Sequence, residues 1–93
     1  MISISRKKAR TLINGLTYGD CRDWKRGLTD WYINLPGIGY VVVGEMARTL
    51  VLQGTDGKQI AYRVGGVSYS GSKVNMSLSN GCILSIQVED QRK

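Results

Sequence analysis

Apolar side chains recur every three or four residues near the start of the chain, which is the spacing of one face of an α-helix. The stripe consists of Ala9, Leu12, Ile13 and Leu16. Ser5 precedes it as an N-cap, because a serine hydroxyl accepts a hydrogen bond from an early unpaired N–H. Glycine tolerates the left-handed conformation in which many helices end. We therefore predict a first helix that begins after Ser5 and ends near Gly15.

A second short helix is predicted over residues 18–26. Thr17 and Asp20 have the spacing of a capping box, in which each side chain bonds the backbone N–H of the other residue. Gly27 follows as the expected end of this helix. Three residues share its apolar face: Tyr18, Cys21 and Trp24.

From Trp31 onward the hydrophobic pattern changes to a period of two, which is typical of strands with one buried face. Pro36-Gly37 has the residues of a type II turn. Gly65-Gly66 indicates a bulge or a sharp bend inside a long strand. Six segments are strand candidates: 31–35, 38–43, 48–53, 58–69, 73–78 and 82–88.

Two turns share one design, with Asp56-Gly57 and Asn80-Gly81 at their centres. A two-residue loop at either turn would mix polar and apolar side chains on each face of the flanking strands. A three-residue loop instead places Met76 opposite Leu84 and keeps each face uniform. A one-residue slip would turn a whole apolar face towards water, so burial selects the register. We predict two three-residue hairpins, each with its glycine in a G1 bulge.

The predicted fold class is α+β, with two short N-terminal helices packed on a strongly bent antiparallel β-meander of five or six strands. Closure of the meander into a small barrel is the alternative, because closure removes exposed strand edges. Ninety-three residues suit a single domain. Its parts are a basic helical part (1–28), the meander (31–88) and a polar tail (89–93). An exposed edge at 31–35 would allow two copies to pair as a homo-oligomer.

The positive charge is concentrated near the N-terminus. Residues 1–26 contain seven basic and two acidic residues, a net charge of +5, whereas residues 27–93 contain six basic and five acidic residues, a net charge of +1. Four cations crowd the start of the first helix, where the helix dipole disfavours positive charge. Such asymmetry suits nucleic acid or an acidic protein surface. The alternative is that the charge serves solubility alone.

No catalytic site, metal site or cofactor is expected. The chain has no histidine, so it lacks the commonest general base and metal ligand. Two cysteines without histidine cannot complete a zinc site, which needs four ligands. Cys21 and Cys82 are expected in the core as small hydrophobic side chains. The alternative for Cys21 is a reactive thiol. Asp20 and Asp23 are interpreted as partners of the helix dipole; the alternative is part of a metal-assisted nuclease site.

The aromatic residues near the basic segment allow two interpretations. Trp24 and Trp31 are candidates for stacking on nucleic-acid bases. Because the chain has no phenylalanine, they are also candidates for the hydrophobic core. Tyr18, Tyr40 and Tyr62 are placed on buried faces.

The predicted function is that of a small basic, non-catalytic, nucleic-acid-binding accessory protein. Its candidate contacts are Arg6, Lys7, Arg10, Arg22, Lys25 and Arg26. The alternative is a stand-alone protein-binding module or inhibitor, for example from a mobile element or phage, that docks on an acidic or nucleic-acid-binding surface. A third hypothesis is a phosphate or nucleotide site at the basic helix start. The chain shows no secretory signal and no long apolar run, so we expect a cytoplasmic protein without membrane contact.

Overall fold

The chain folds as one N-terminal α-helix packed on a mostly antiparallel sheet of eight strands, which curls into a half-barrel. A computed structural model describes residues 3–44 and 47–89, and the elements named here belong to those residues. The helix is α1 (Arg6–Tyr18). The strands are β1 (Ser3–Ile4), β2 (Lys25–Arg26), β3 (Trp31–Leu35), β4 (Gly39–Val43), β5 (Arg48–Gln53), β6 (Gln59–Ser70), β7 (Lys73–Leu78) and β8 (Ile83–Val88).

The order of strands across the sheet is β1-β8-β7-β6-β5-β4-β3-β2. Strands β3 to β8 form the predicted antiparallel meander. Strand β1 lies parallel to β8, and β2 pairs antiparallel with β3. The prediction of five or six strands missed only these two flanking strands, because a two-residue strand has no periodicity to detect.

The sheet bends along β6, as Gly65-Gly66 indicated. The first half of this strand pairs with β5 and the second half with β7. The register shifts between Val64 and Gly66, and such a bulge bends a strand and increases its twist. The result is an open half-barrel; the described strands do not close into the barrel considered above.

Both three-residue hairpins are confirmed. Leu52 lies opposite Ile60 in the first, and Met76 lies opposite Leu84 in the second. Their glycines, Gly57 and Gly81, have φ angles of 84° and 86°. The turn at Pro36-Gly37 is also formed, with the Ile38 N–H donating to the Leu35 carbonyl at 2.9 Å. The observed registers are the ones that keep each face of the hairpins uniform, as predicted.

Helix α1 begins as predicted and ends later. The Ser5 hydroxyl accepts a hydrogen bond from the Lys8 N–H at 3.1 Å. The helix continues past Gly15 to Tyr18 and ends at Gly19, which has a φ of 74°. The Gly19 N–H donates to the Gly15 carbonyl at 3.2 Å. The prediction that Gly15 ends the helix was therefore wrong.

Gly15 has a packing role instead, because Trp24 lies directly against it. A Cβ atom at position 15 would be only 2.6 Å from Cε2 of the indole ring. The indole N–H donates to the Thr11 carbonyl of α1 at 3.2 Å. Trp24 is 4% exposed and belongs to the core. The absent side chain at Gly15 thus makes room for one of the two tryptophans of the chain.

The predicted second helix does not form. Residues 19–24 turn back along α1, and the chain then enters strand β2. Thr17 lies inside α1, so it cannot cap a new helix, and the Asp20 carboxylate accepts hydrogen bonds from Arg22 instead. Tyr18, which the helix would have buried, is 78% exposed. Packing of Trp24 on α1 outweighs the local helical pattern of residues 18–26.

The core lies between α1 and one face of the sheet. Its buried residues are Ile4, Ala9, Leu12, Leu16, Trp24, Ile33, Leu35, Val41, Leu50, Val64, Val74, Met76, Ile86 and Val88. Cys21 is half-buried and packs against this core, but Cys82 is exposed, contrary to expectation. Cys82 follows a hairpin loop at the end of the strands, where one face is not covered. No described helix is long and apolar enough to span a bilayer.

Strand β3 is only in part the exposed edge that the sequence suggested. Strand β2 pairs with its first two residues, Trp31 and Tyr32. Further along β3, the Asn34 carbonyl accepts a hydrogen bond from Lys8 Nζ at 2.9 Å. The sheet edge on this side is β2, a short strand made of two cations. Charge and shortness both protect an edge from pairing with another chain.

We predict that Gly15→Ala destabilises the protein by about 1–3 kcal/mol, because the new methyl group overlaps the indole ring of Trp24. At an open helical position the same change would stabilise by up to about 1 kcal/mol. Urea unfolding measures the difference. Thr17→Ala, on the exposed side of α1, is the control and is expected to change stability by less than about 0.5 kcal/mol. A stabilised Gly15→Ala variant would contradict the packing described here.

Candidate functional site

Two basic segments that are separated in sequence meet at one groove. The groove, of about 380 Å³, lies between α1 and the β2–β3 edge. Lys7 and Lys8 line it from α1, and Lys25 lines it from β2. Asp23 is the acidic residue among its lining. Because Trp24 anchors the returning chain on α1, its neighbour Lys25 is held beside the helix start.

The lysines of this groove differ in their partners. Lys8 is half-buried and donates to the Asn34 carbonyl, so it covers the part of β3 that β2 leaves unpaired. Lys7 and Lys25 are exposed and have no carboxylate partner among the described residues. These two ammonium groups remain available to an anion.

The outward side of α1 extends this positive surface. An α-helix turns about 100° per residue, so Arg10 lies between Arg6 and Lys7 around the helix. All three side chains are exposed. Arg6 also lines a second groove, of about 560 Å³, which contains Tyr69 and Glu89. We use the term basic face for five exposed cations of α1 and β2: Arg6, Lys7, Arg10, Lys25 and Arg26.

Arg22, another sequence candidate, forms an exposed ion pair within the chain. Its Nε and Nη2 donate to the two carboxylate oxygens of Asp20, each at 3.0 Å. These hydrogen bonds hold the pKa of Asp20 below its usual value and raise the pKa of Arg22. Among the described residues this is the one ion pair. Arg22 is therefore left out of the basic face.

The two tryptophans have different roles. Trp24 is in the core, which removes it as a stacking candidate. Trp31 is half-buried and packs against the core, with the Arg26 guanidinium 5.0 Å from its ring centroid. This distance suits a cation–π interaction, which positions the arginine while keeping its charge. The indole of Trp31 is thus already covered by a side chain.

A second aromatic surface was not predicted from the sequence. The face of the sheet opposite the core carries Tyr32 from β3 and Tyr40 from β4, with Val42 directly opposite Tyr32. They line a groove of about 620 Å³, and the β2–β3 turn forms its wall. Tyr40 had been assigned to the buried face, because the apolar run 40–43 has no alternation that distinguishes two faces. Tyr62 does lie on the core side, opposite Leu50.

The tyrosine groove and the basic groove are adjacent. Tyr32 and Asn34 line both of them. Leu28, at the tip of the β2–β3 turn, is fully exposed and forms part of the wall of the tyrosine groove. The exposed apolar residue, the tyrosines and the lysines therefore belong to one continuous region of the surface.

In residues 3–44 and 47–89, no three histidine, cysteine, aspartate or glutamate side chains are placed to hold a metal ion. The Asp20 carboxylate accepts hydrogen bonds from Arg22, and Asp23 lines the basic groove. Comparison with protein-family models, curated proteins and solved structures gives no significant match.

We predict that iodoacetamide modifies Cys82 faster than Cys21 in the folded protein. Burial, and secondarily the negative charge of Asp20, raise the pKa of the Cys21 thiol, so less of it is the reactive thiolate at pH 8. Cys82 is exposed. Mass spectrometry of timed samples gives both rates, and labelling in urea is the control, in which the two rates should converge. Faster labelling of Cys21 in the folded state would support the reactive-thiol alternative.

Proposed function

We propose that this protein is a small, non-catalytic binding protein that binds nucleic acid through its basic face. The observation that carries the proposal is the meeting of Lys7 and Lys25 at one groove, although eighteen positions separate them in the chain. Phosphate groups are the anions that such a surface would neutralise, and their release of counterions supplies affinity.

The lack of internal neutralisation supports this proposal. The lysines and arginines of the basic face are all exposed, and no carboxylate pairs with them within the described part of the chain. Repulsion between neighbouring cations destabilises the isolated protein. An anionic ligand would offset that repulsion. Its affinity would then fall steeply as the salt concentration rises.

A protein-binding module is the second candidate, and Leu28 favours it. An apolar side chain that is fully exposed at a turn is a typical contact for another protein. Purification of the tagged protein from lysate, with and without nuclease, separates the two functions. A stoichiometric partner that resists nuclease supports the protein-binding module, whereas nuclease-sensitive material supports nucleic-acid binding.

We predict that the logarithm of the affinity for nucleic acid falls with the logarithm of the salt concentration. Five phosphate contacts give a slope of about −3.5 on a single strand and about −4.5 on a duplex. The double variant Lys7→Ala/Lys25→Ala should reduce the size of the slope by about 1.5, because two of these contacts are lost. Fluorescence polarisation of labelled oligonucleotides across a salt series measures both slopes.

Lys58→Ala/Lys73→Ala is the matched control, since it removes the same charge from two exposed lysines on other strands and turns. Its slope should stay close to that of the unmodified protein. An equal loss in both double variants would mean that net charge alone drives binding. Affinity weaker than roughly 0.1 mM at physiological salt, the weak end of non-specific binding, would exclude the proposed function.

A further inference from the structure

We infer that the ligand is a single-stranded nucleic acid whose bases stack on Tyr32 and Tyr40, an inference that rests on the proposed function. The two tyrosines are diagonal neighbours on adjacent strands, because Tyr32 lies opposite Val42 and Tyr40 lies opposite Asn34. Side chains in this relation are about 7–8 Å apart. Two aromatic rings at this separation form a platform for neighbouring bases.

Cations lie at both ends of this platform. Successive pairings place Lys25, Tyr32, Val42, Thr49 and Arg63 in one row across five strands, on the face opposite the core. Strands are spaced about 4.8 Å apart, so the Lys25 and Arg63 backbones are separated by roughly 19 Å. Both terminal side chains are exposed. A strand that crosses the row therefore meets positive charge on either side of an aromatic and apolar centre.

The other residues that line the tyrosine groove suit the bases of the ligand better than its phosphates. Asp30 is the acidic residue among the groove's lining, and a carboxylate repels phosphate but accepts hydrogen bonds from the amino groups of bases. Asn34 and Gln53 add amide groups that can both donate and accept. Leu28 supplies an apolar wall. Phosphates are thus directed to the lysines, and bases to the tyrosines.

A duplex cannot use this surface in the same way, because its base faces are stacked on one another. Stacking on aromatic side chains instead requires unpaired bases, which single strands present. The structure therefore assigns single strands as the ligand class, with DNA and RNA sharing the required chemistry. The 2′-hydroxyl distinguishes them, and the test below includes both.

The test measures binding of a twelve-nucleotide single strand, as DNA and as RNA, and of the corresponding duplex, at one salt concentration. The single strand should bind roughly tenfold more tightly than the duplex or better. Tyr40→Leu should weaken single-strand binding roughly fivefold to a hundredfold, because the apolar bulk remains while the stacking surface is lost. Tyr40→Phe should bind like the unmodified protein. Tyr62→Leu is the matched control, a half-buried tyrosine on the core side of the same sheet.

Ultraviolet cross-linking of the unmodified protein gives a second measurement that does not depend on the folding of any variant. Trypsin cleaves after Arg26 and Arg48, so residues 27–48 form one peptide that contains both Tyr32 and Tyr40 and no other tyrosine. The cross-linked nucleotide should be found on this peptide, at one of the two tyrosines. Cross-links confined to the peptides that contain Tyr18, Tyr62 or Tyr69 would contradict the inference.

Failure of this inference is distinguishable from failure of the proposed function. The tyrosine platform alone is overturned by one combination of results. Single strand and duplex bind equally, and Tyr40→Leu binds no more weakly than Tyr62→Leu. The variant Lys7→Ala/Lys25→Ala still loses affinity. No binding of any nucleic acid overturns both. A nuclease-resistant protein that protects Tyr32 and Tyr40 would assign this face to a protein partner instead.

Discussion

The docking of Trp24 on α1 is the interaction on which the rest of the structure depends. The indole ring fits against Gly15, where any side chain would collide with it, and its N–H bonds to the Thr11 carbonyl. This contact makes the chain after the helix turn back along α1 instead of forming a second helix. Strand β2 follows at once, so one buried aromatic side chain sets the position of the sheet edge and of the cations that β2 carries.

The surface features follow from that arrangement. Lys25 is brought to the groove that Lys7 and Lys8 line, and Arg26 is held over Trp31. Lys8 secures the part of β3 that the short β2 cannot reach. The β2–β3 turn then forms the wall of the tyrosine groove on the opposite face of the sheet. The polar and aromatic parts of the proposed ligand surface are therefore adjacent because one helix contact fixes where the meander begins.

The meander was predictable from sequence, whereas the path between α1 and β3 was not. Alternating side chains and paired glycine turns are local signals, and they placed β3, β5 and β7 and the register of both hairpins correctly. Residues 18–26 also carry a local helical pattern, but a tertiary contact at Gly15 outweighs it. Of the candidate contacts, Arg22 pairs with Asp20, its neighbour two residues earlier in the sequence. Trp24 is buried in the core by a contact with α1 that the local sequence pattern does not show. Tyr40 lies in a continuous apolar run, which does not show which side faces out.

The most direct test of this account is a titration of the isotope-labelled protein with a single-stranded oligonucleotide, followed by backbone amide NMR. We expect one contiguous set of shifted amides in the first half of α1, in residues 23–26 and in the strands that carry Tyr32 and Tyr40. Amides at the hairpin turns beside Lys58 and Lys73 should stay unchanged. Shifts that concentrate at those turns, or that leave α1 and β2 unaffected, would contradict the claim that Trp24 assembles a single binding surface.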